Sequence, residues 1–372
     1  MDKKNTLKIV TPDKIIINKN LLKDKTKEKR ILKIINNIKK FNRSIKIEIL
    51  NKKEIEDIYI YSNYENTLEK IFVFTENLGQ KVKKCPGTRH YLCCNYYTIN
   101  LYMNCPLGCK YCFLQFYLKN PINTIFINIE NIFEQFENKY SKIKIKRIGT
   151  GELSDSLVFD PFTEFSFDFI EFFKKFDETF FEFKTKTLFT DNLYKIKPSK
   201  NIVVSFSLNT IKIWQENENF TSNPFDRIIE ARKLSEYGYS IAFHFDPIFY
   251  YENYKNDYLE ILNFIKNNID RKKIVWISLG TFRYHPDMKE ILRKNYPDEK
   301  ITYCESIIGY DNKVRYFIEI RQEIYKFFYD FFNNNFKIPL YLCMESKKLW
   351  DKVFNSQPKN IDNLKNIFNI RK

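Results

Sequence analysis

Cys105, Cys109 and Cys112 stand in the run Cys-Pro-Leu-Gly-Cys-Lys-Tyr-Cys. Three thiols spaced C-x3-C-x2-C can wrap one corner of an iron–sulfur cubane. Pro106 and Gly108 permit the tight turns that such wrapping demands. Three ligands leave the fourth iron of a [4Fe-4S] cluster open. An open iron can chelate the amino and carboxylate groups of S-adenosylmethionine (SAM). One electron from the reduced cluster then cleaves the sulfonium bond and gives a 5′-deoxyadenosyl radical. In such chemistry the cofactor reacts, while the protein orients it and excludes water. Two plainer readings stand beside this one. A cysteine trio also binds zinc, usually with a fourth Cys or His, and thiols can be inert core groups. Paired C-x2-C knuckles are absent and the trio directly follows a strand, which favours the cluster.

Such a loop needs elements to hold it. From about residue 96, apolar strand patterns alternate with helical ones. The strands are expected at Tyr97–Tyr102, Ile143–Ile148, Phe180–Lys186, Ile202–Leu208, Tyr239–Phe245 and Ile274–Leu279. The clearest helix carries Phe162, Phe165, Phe169, Phe172 and Phe176 on one face. Six strands alternating with helices imply parallel βα units. The expected fold is α/β, a partial (β/α)6-type barrel over residues 86–345. A small α/β region over 1–85 precedes it, with a basic helix near Leu21–Lys40, and a helical extension over 346–372 follows. Barrel chemistry sits at the C-terminal ends of the strands. Polar residues gather there: the cysteine loop, Gly149 to Asp155, Lys184 and Lys186, Ser205, Ser207 and Asn209, then His244 and Asp246. An ordinary core would bury fewer polar groups, because each unpaired one costs free energy.

The composition narrows the setting. The 372 residues allow two or three domains, or one large barrel with an appendage. No apolar run is long enough to span a bilayer, and the charged start MDKKNTLKIV lacks a signal peptide's apolar stretch. A cytoplasmic chain without a membrane partner is expected. There, the tight grouping among its eight cysteines reads as metal binding rather than disulfides. The formal charge of +16 favours polyanions such as DNA or another nucleic acid. The basic residues are spread out, however, and the abundance of Lys, Asn, Ile and Phe is also what AT-rich coding produces.

At this point the sequence resembles the radical SAM superfamily, and within it the spore photoproduct lyase branch. The stretches that carry the likeness are CPGTRHYLCCNYYTIN, NCPLGCKYCFLQ, GTGELSDSL, VVSFSLNT, GYSIAFHFDP, WISLGTFR and YLCMES, spanning Cys85 to Phe354. The resemblance implies a [4Fe-4S] cluster on Cys105, Cys109 and Cys112, bound SAM, and an electron donor such as flavodoxin or ferredoxin. The lyases revert a thymine–thymine adduct in DNA, and a protein Cys returns a hydrogen. Matching Ser154-Asp155 to the branch's Ser-Asp pair puts Glu152 at that Cys position. Phe113 stands where the lyases carry Tyr, while Tyr111 is retained as a catalytic candidate.

The resemblance also suggests roles for the strand-end groups. Gly149-Thr-Gly-Glu152 is similar to the superfamily's glycine-glycine-glutamate stretch, whose Glu accepts from the SAM amino group. Lys186, or Lys184 on the same face, is a candidate partner for the SAM carboxylate. Ser205, Ser207 and Asn209 are candidates for ribose or methionine, and His244 and Asp246 for substrate. Arg89, His90, Cys93 and Cys94 alone offer too few ligands for a second cluster. Cys304 and Cys343 are either late hydrogen donors or inert thiols. Three functions compete: a lyase on a pyrimidine lesion, a radical SAM enzyme with another nucleic-acid substrate, and a non-catalytic metal-containing nucleic-acid-binding protein. Glu152 in place of Cys favours the second over the first.

Overall fold

The computed structural model describes residues 9–61, 70–88, 90–118, 120–142 and 147–355. Seven strands form in the first third of the chain: β1 (Lys14–Asn18), β2 (Lys46–Leu50), β3 (Ile71–Thr75), β4 (Val82–Lys84), β5 (Tyr97–Ile99), β6 (Tyr102–Met103) and β7 (Asn123–Phe126). Five follow: β8 (Arg147–Gly149), β9 (Phe180–Thr185), β10 (Ile202–Ser207), β11 (Ser240–Ile248) and β12 (Ile274–Thr281). The last four are β13 (Arg283–Tyr284), β14 (Ser306–Ile308), β15 (Val314–Tyr316) and β16 (Leu340–Leu342). One sheet has the order β2-β1-β3-β7-β6, a second β16-β12-β11-β10-β9-β8-β5-β4, and a third β13-β15-β14.

The first sheet takes two strands from beyond residue 85, since β6 and β7 complete it. The expected strand Tyr97–Tyr102 is therefore split: Tyr97–Ile99 joins the second sheet and Tyr102–Met103 the first. The helix Lys25–Lys39 covers the first sheet. Asp24 caps it by accepting from the Thr26 and Lys27 amides, and it buries Ile31, Ile34, Ile35 and Ile38 at helical spacing. The expected phenylalanine helix is broken. Glu164 adopts φ 54°, so the chain makes Asp160–Thr163 and then Phe165–Phe173. Residues 143–146 of the strand expected at Ile143–Ile148 lie outside the described residues, as do Arg89 and all of the C-terminal extension beyond the helix Lys347–Phe354 and Asn355.

In the second sheet β5, β8, β9, β10, β11, β12 and β16 run parallel, and β4 closes one edge antiparallel. Its outward residues, among them Phe181, Phe183, Val204, Phe206, Phe243, Phe245, Ile277 and Leu279, are buried, as strands covered by helices require. The sheet is curled into a half-barrel. Arg147 on β8 stacks over Trp276 on β12 at 5.0 Å and over Tyr341 on β16 at 4.6 Å, although four strands separate β8 from β16. In a flat sheet, strands lie about 4.8 Å apart and these side chains could not meet. The loop after β4 closes the open side, where Leu92 pairs with Glu345.

The candidate cluster loop and the barrel mouth

The cysteine loop leaves β6 and crosses the mouth formed by the strand ends. Gly108 sits at φ 61°, a conformation that suits glycine. The loop is tied to the segment after the helix Ile211–Asn217. Lys110 N donates to Asn217 O at 2.8 Å, Phe220 N to Leu107 O at 3.1 Å, and Cys109 pairs with Glu218. Asn219 Nδ2 donates to Gly108 O at 3.0 Å, and Gln115 Nε2 to Cys109 O at 2.9 Å. Burial pushes the thiols of Cys105, Cys109 and Cys112 up to about 12. Ligation there would have to expel protons that the site favours keeping. Among the described residues, no three His, Cys, Asp or Glu side chains are gathered closely enough to hold a metal ion. A cubane is larger than an ion and takes each thiolate on a different iron. Three soft donors on a backbone-pinned loop suit it.

Beneath the loop lies Glu218, and its environment was not legible in the sequence. Thr210 caps the helix Ile211–Asn217 by accepting from the Ile213 amide, and Glu218 ends that helix. A carboxylate at a helix C-terminus is opposed by the helix dipole, so Glu218 needs cations. It has two: Lys186 Nζ at 2.7 Å and Arg227 Nη2 at 2.7 Å. Tyr111 Oη donates to Glu218 and accepts from Lys186, and Lys186 Nζ lies 4.8 Å from the Tyr111 ring centre. Asn209 Nδ2 reaches Glu218 at 3.5 Å, and Asn209 Oδ1 accepts from Tyr258 at 2.8 Å. The Glu218 and Arg227 side chains are both 0% exposed. Burial alone would raise the Glu218 pKa, yet the Lys186 and Arg227 charges hold it well below the usual carboxylate range. Burial, reinforced by Glu218, keeps Tyr111 a phenol far above its ordinary pKa.

The barrel interior carries a second set of polar groups. Register places Lys184 beside Ser205, and Ser207 beside His244, so these share the inner face. Ser205 Oγ donates to Phe183 O at 3.3 Å. The Ser207 carbonyl accepts from Arg227 Nη1 at 2.6 Å. His244 Nε2 lies 2.7 Å from Glu182 Oε1, and Tyr96 Oη donates to Glu182 Oε2 at 2.6 Å. Burial opposes ionisation of Glu182, but His244 and Arg147 outweigh it and its pKa falls. Asp246 forms a two-pronged pair with Arg283, at 3.0 and 3.3 Å. A Cβ at Gly280 would lie 2.5 Å from Asp246 Oδ1, so glycine makes room for that pair.

Glu152 stands on the other side of the mouth. Lys83 Nζ lies 3.2 Å from its carboxylate. The Asn100 amide, turned with its nitrogen toward Glu152, donates at 3.1 Å and accepts from Lys83 at 3.3 Å. Asp155, close by, anchors the end of β9 by accepting from Lys186 N at 2.7 Å and Thr185 Oγ1 at 2.9 Å. The structure thus brings Tyr111, Lys186 and Asn209 together at Glu218. It places Ser205, Ser207, His244 and Asp246 along the interior wall, and sets Glu152 at the β4–β5 edge. Cys304 lies apart, at the loop leading into β14, with its thiol 3.7 Å from Glu305.

Comparisons with known proteins bear on the family and the fold. A family model described as spore photoproduct lyase matches residues 36–330. The spore photoproduct lyase of Clostridium acetobutylicum is 26% identical over 242 residues, covering 62% of this chain and 71% of that protein. The Bacillus subtilis (strain 168) spore photoproduct lyase is 28% identical over 216 residues, covering 56% of this chain and 63% of the relative. A solved spore photoproduct lyase variant, with bound AdoMet and dinucleoside spore photoproduct, superposes with a TM-score of 0.76 at 20% identity. That match covers 91% of this chain and 100% of the other. At such identity the likeness is one of fold.

Proposed function

Because the chain belongs to the spore photoproduct lyase family, we propose that it is a radical SAM enzyme whose substrate is a pyrimidine in nucleic acid and that lacks the lyases' route for returning hydrogen. Membership makes it a lyase-type radical SAM enzyme with SAM and a [4Fe-4S] cluster as cofactors. Cys105, Cys109 and Cys112 would hold the cluster. When bound, cluster and SAM together supply a 5′-deoxyadenosyl radical that abstracts hydrogen from substrate.

The chain's own residues do the rest. Glu218 acts as a positioning residue, because it holds Tyr111 and Lys186 against the cluster loop while Arg227 offsets its charge. Lys186 keeps a cation where a carboxylate can be received, with Asn209 alongside. Tyr111 stays protonated, with its O–H committed to Glu218 and its oxygen accepting from Lys186. Glu152 offers an acceptor for an ammonium group opposite Lys186. Ser205 and Ser207, on the inner face of the sheet, are the candidates for ribose or methionine. His244 and Asp246 are each locked by a partner, Glu182 and Arg283, and form a rigid polar wall against which a base can rest. The formal charge of +16 supports a polyanionic partner. No helix among the described residues is long and apolar enough to cross a membrane. Reduced thiols and a low-potential donor such as flavodoxin or ferredoxin fit a cytoplasmic setting.

One observation carries the reading on hydrogen return. Position 152, matched to the lyase Cys, holds a carboxylate already paired with Lys83 at 3.2 Å, and a carboxylate has no weak S–H bond to give. The test is an anaerobic reaction with SAM, dithionite and dinucleoside spore photoproduct, reading thymine product against 5′-deoxyadenosine. The expected result is 5′-deoxyadenosine well in excess of repaired thymine. Efficient, tightly coupled repair that survives Cys304→Ala and Cys343→Ala would overturn the reading. Glu152→Gln separates the roles of that residue. Weakened SAM binding with an intact cluster supports the ammonium contact, and normal SAM binding with lost turnover moves Glu152 to substrate chemistry.

A further inference from the structure

The first sheet ends on a strand with one bare side. β2 stands at the edge of the order β2-β1-β3-β7-β6, and among the described residues no strand pairs with its outer side. It follows β1 in parallel over five consecutive residue pairs, from Lys14–Lys46 to Asn18–Leu50, without a bulge. Lys46 N donates to Asp13 O at 3.0 Å, so Lys46, Glu48 and Leu50 turn their peptide groups toward β1, while Ile47 and Ile49 turn theirs outward. The Ile47 and Ile49 side chains continue the face that carries Ile15 and Ile17 on β1, both of them buried. On β2 that face is left open: Ile47 is 40% and Ile49 53% exposed. Exposed edges are ordinarily blunted by proline, a bulge or a charge on the apolar face. From Ile45 to Leu50 this edge has neither proline nor glycine, and its two charges, Lys46 and Glu48, stand on the opposite face.

We propose that this edge is a homodimer interface, in which β2 pairs antiparallel with β2 of a second copy of the chain about a two-fold axis through Ile47. A two-fold axis sets one patch against itself, and residues opposed across an antiparallel pair share a face. The charges then select the register. An axis through Lys46 would set the two lysines opposite each other, and one through Glu48 the two glutamates; like charges directly opposite are destabilising. With the axis through Ile47, each Lys46 faces the other copy's Glu48, each Ile45 faces an Ile49, and the two Ile47 side chains meet in the middle. The run Ile45-Lys46-Ile47-Glu48-Ile49 is thus complementary to itself in reverse, which is why the occupant is a second copy. The outward Ile47 peptide groups exchange N–H···O bonds, and Lys46 and Glu48 fall at the non-hydrogen-bonded pairs, where side chains approach more closely. The single chain also leaves a charge to be matched. Lys14 Nζ lies 2.6 Å from Glu48 while Lys46 is the neighbour of Lys14 in register, so two lysines flank one carboxylate, and the second copy brings another to Lys46. The two five-stranded sheets then run on as one.

The test follows the full chain by anaerobic sedimentation across a concentration series, with hydrogen exchange of the peptide covering residues 43–51. The expected result is a reversible monomer–dimer equilibrium, with exchange in that peptide slowing as dimer accumulates. K46E sets like charges opposite each other at both symmetric pairs and should weaken dimerisation at least ~10-fold. K46E/E48K restores opposite charges and should recover it. Ile47→Pro removes an outward N–H, so it should abolish the dimer while circular dichroism and thermal melting stay those of wild type. The charge swap leaves the backbone intact and decides the matter even where the proline variant does not fold. A wild type that remains monomeric throughout overturns the proposal, whether residues 43–51 exchange freely or are already covered by another part of the same chain. So does a dimer indifferent to K46E, or one that K46E weakens and K46E/E48K fails to recover. Activity enters none of these measurements, so their failure would leave the assigned enzyme class untouched.

Discussion

Replacing Glu218 with Gln keeps the side chain's shape and removes one negative charge from between two cations. Lys186 has 15% of its side chain exposed and can turn toward water, whereas Arg227 has none. Breaking a buried pair by removing one partner costs about 3–5 kcal/mol. The lower end applies here, because Arg227 keeps Ser207 O and Ser222 O at 2.6 Å and Thr221 Oγ1 at 2.8 Å. A loss of ~3 kcal/mol corresponds to a fall in Tm of roughly 4 °C for a chain of this size. The assay is anaerobic differential scanning calorimetry, with Lys174→Ala at the half-exposed Lys174–Glu171 pair as the control. That control should cost ~0–1 kcal/mol. Because Tyr111, inside the cysteine loop, donates to the Glu218 carboxylate, E218Q should also retain less iron after reconstitution. A variant that melts within ~1 °C of wild type and loads iron fully would refute the claim that this buried triad holds the cluster loop.

Two further outcomes follow from the same interior. Glu218 and Glu182 both have folded pKa values below their unfolded ones, so the unfolded chain binds more protons as pH drops. Their stabilising effect is complete above the unfolded value near ~4.3 and is lost as pH falls through the folded values. Wild type should therefore lose Tm more steeply than E218Q on acidification below pH ~4.3, and parallel slopes would contradict this. Gly280→Ala puts a methyl group 2.5 Å from Asp246 Oδ1 and 2.8 Å from Arg283 Nη1. It should displace that ion pair and lower the urea midpoint by the equivalent of ~1–3 kcal/mol; an unchanged midpoint would show that the pair shifts without cost.

The strand series was readable because strands buried on both faces write long apolar runs, and β9 to β12 do so. What the runs hid is which residues sit inside. Glu182 interrupts Phe180-Phe181 and Phe183 at an inward position, and a lone carboxylate there signals a buried, paired acid. Glu218 and Arg227 carry no such signal, since their pairing depends on how two separate helices end and begin. Leu92 and Glu345 are about as far apart in sequence as the barrel allows, and only its closure joins them. The splitting of Tyr97–Tyr102 between two sheets, and the left-handed turn at Glu164, likewise reflect tertiary demands that periodicity cannot encode. The candidate cluster loop could be singled out because its three cysteines lie within one turn-rich segment.

The most direct test of the assigned chemistry is SAM cleavage itself. Anaerobically reconstituted wild type and the separate Cys105→Ala, Cys109→Ala and Cys112→Ala variants are incubated with SAM and dithionite, and 5′-deoxyadenosine is quantified by chromatography. A brown wild type with about four irons per chain is expected. The account predicts 5′-deoxyadenosine in wild type and none in any of the three variants. A wild type loaded with iron that binds SAM yet forms no 5′-deoxyadenosine would contradict it, as would a colourless protein holding only zinc.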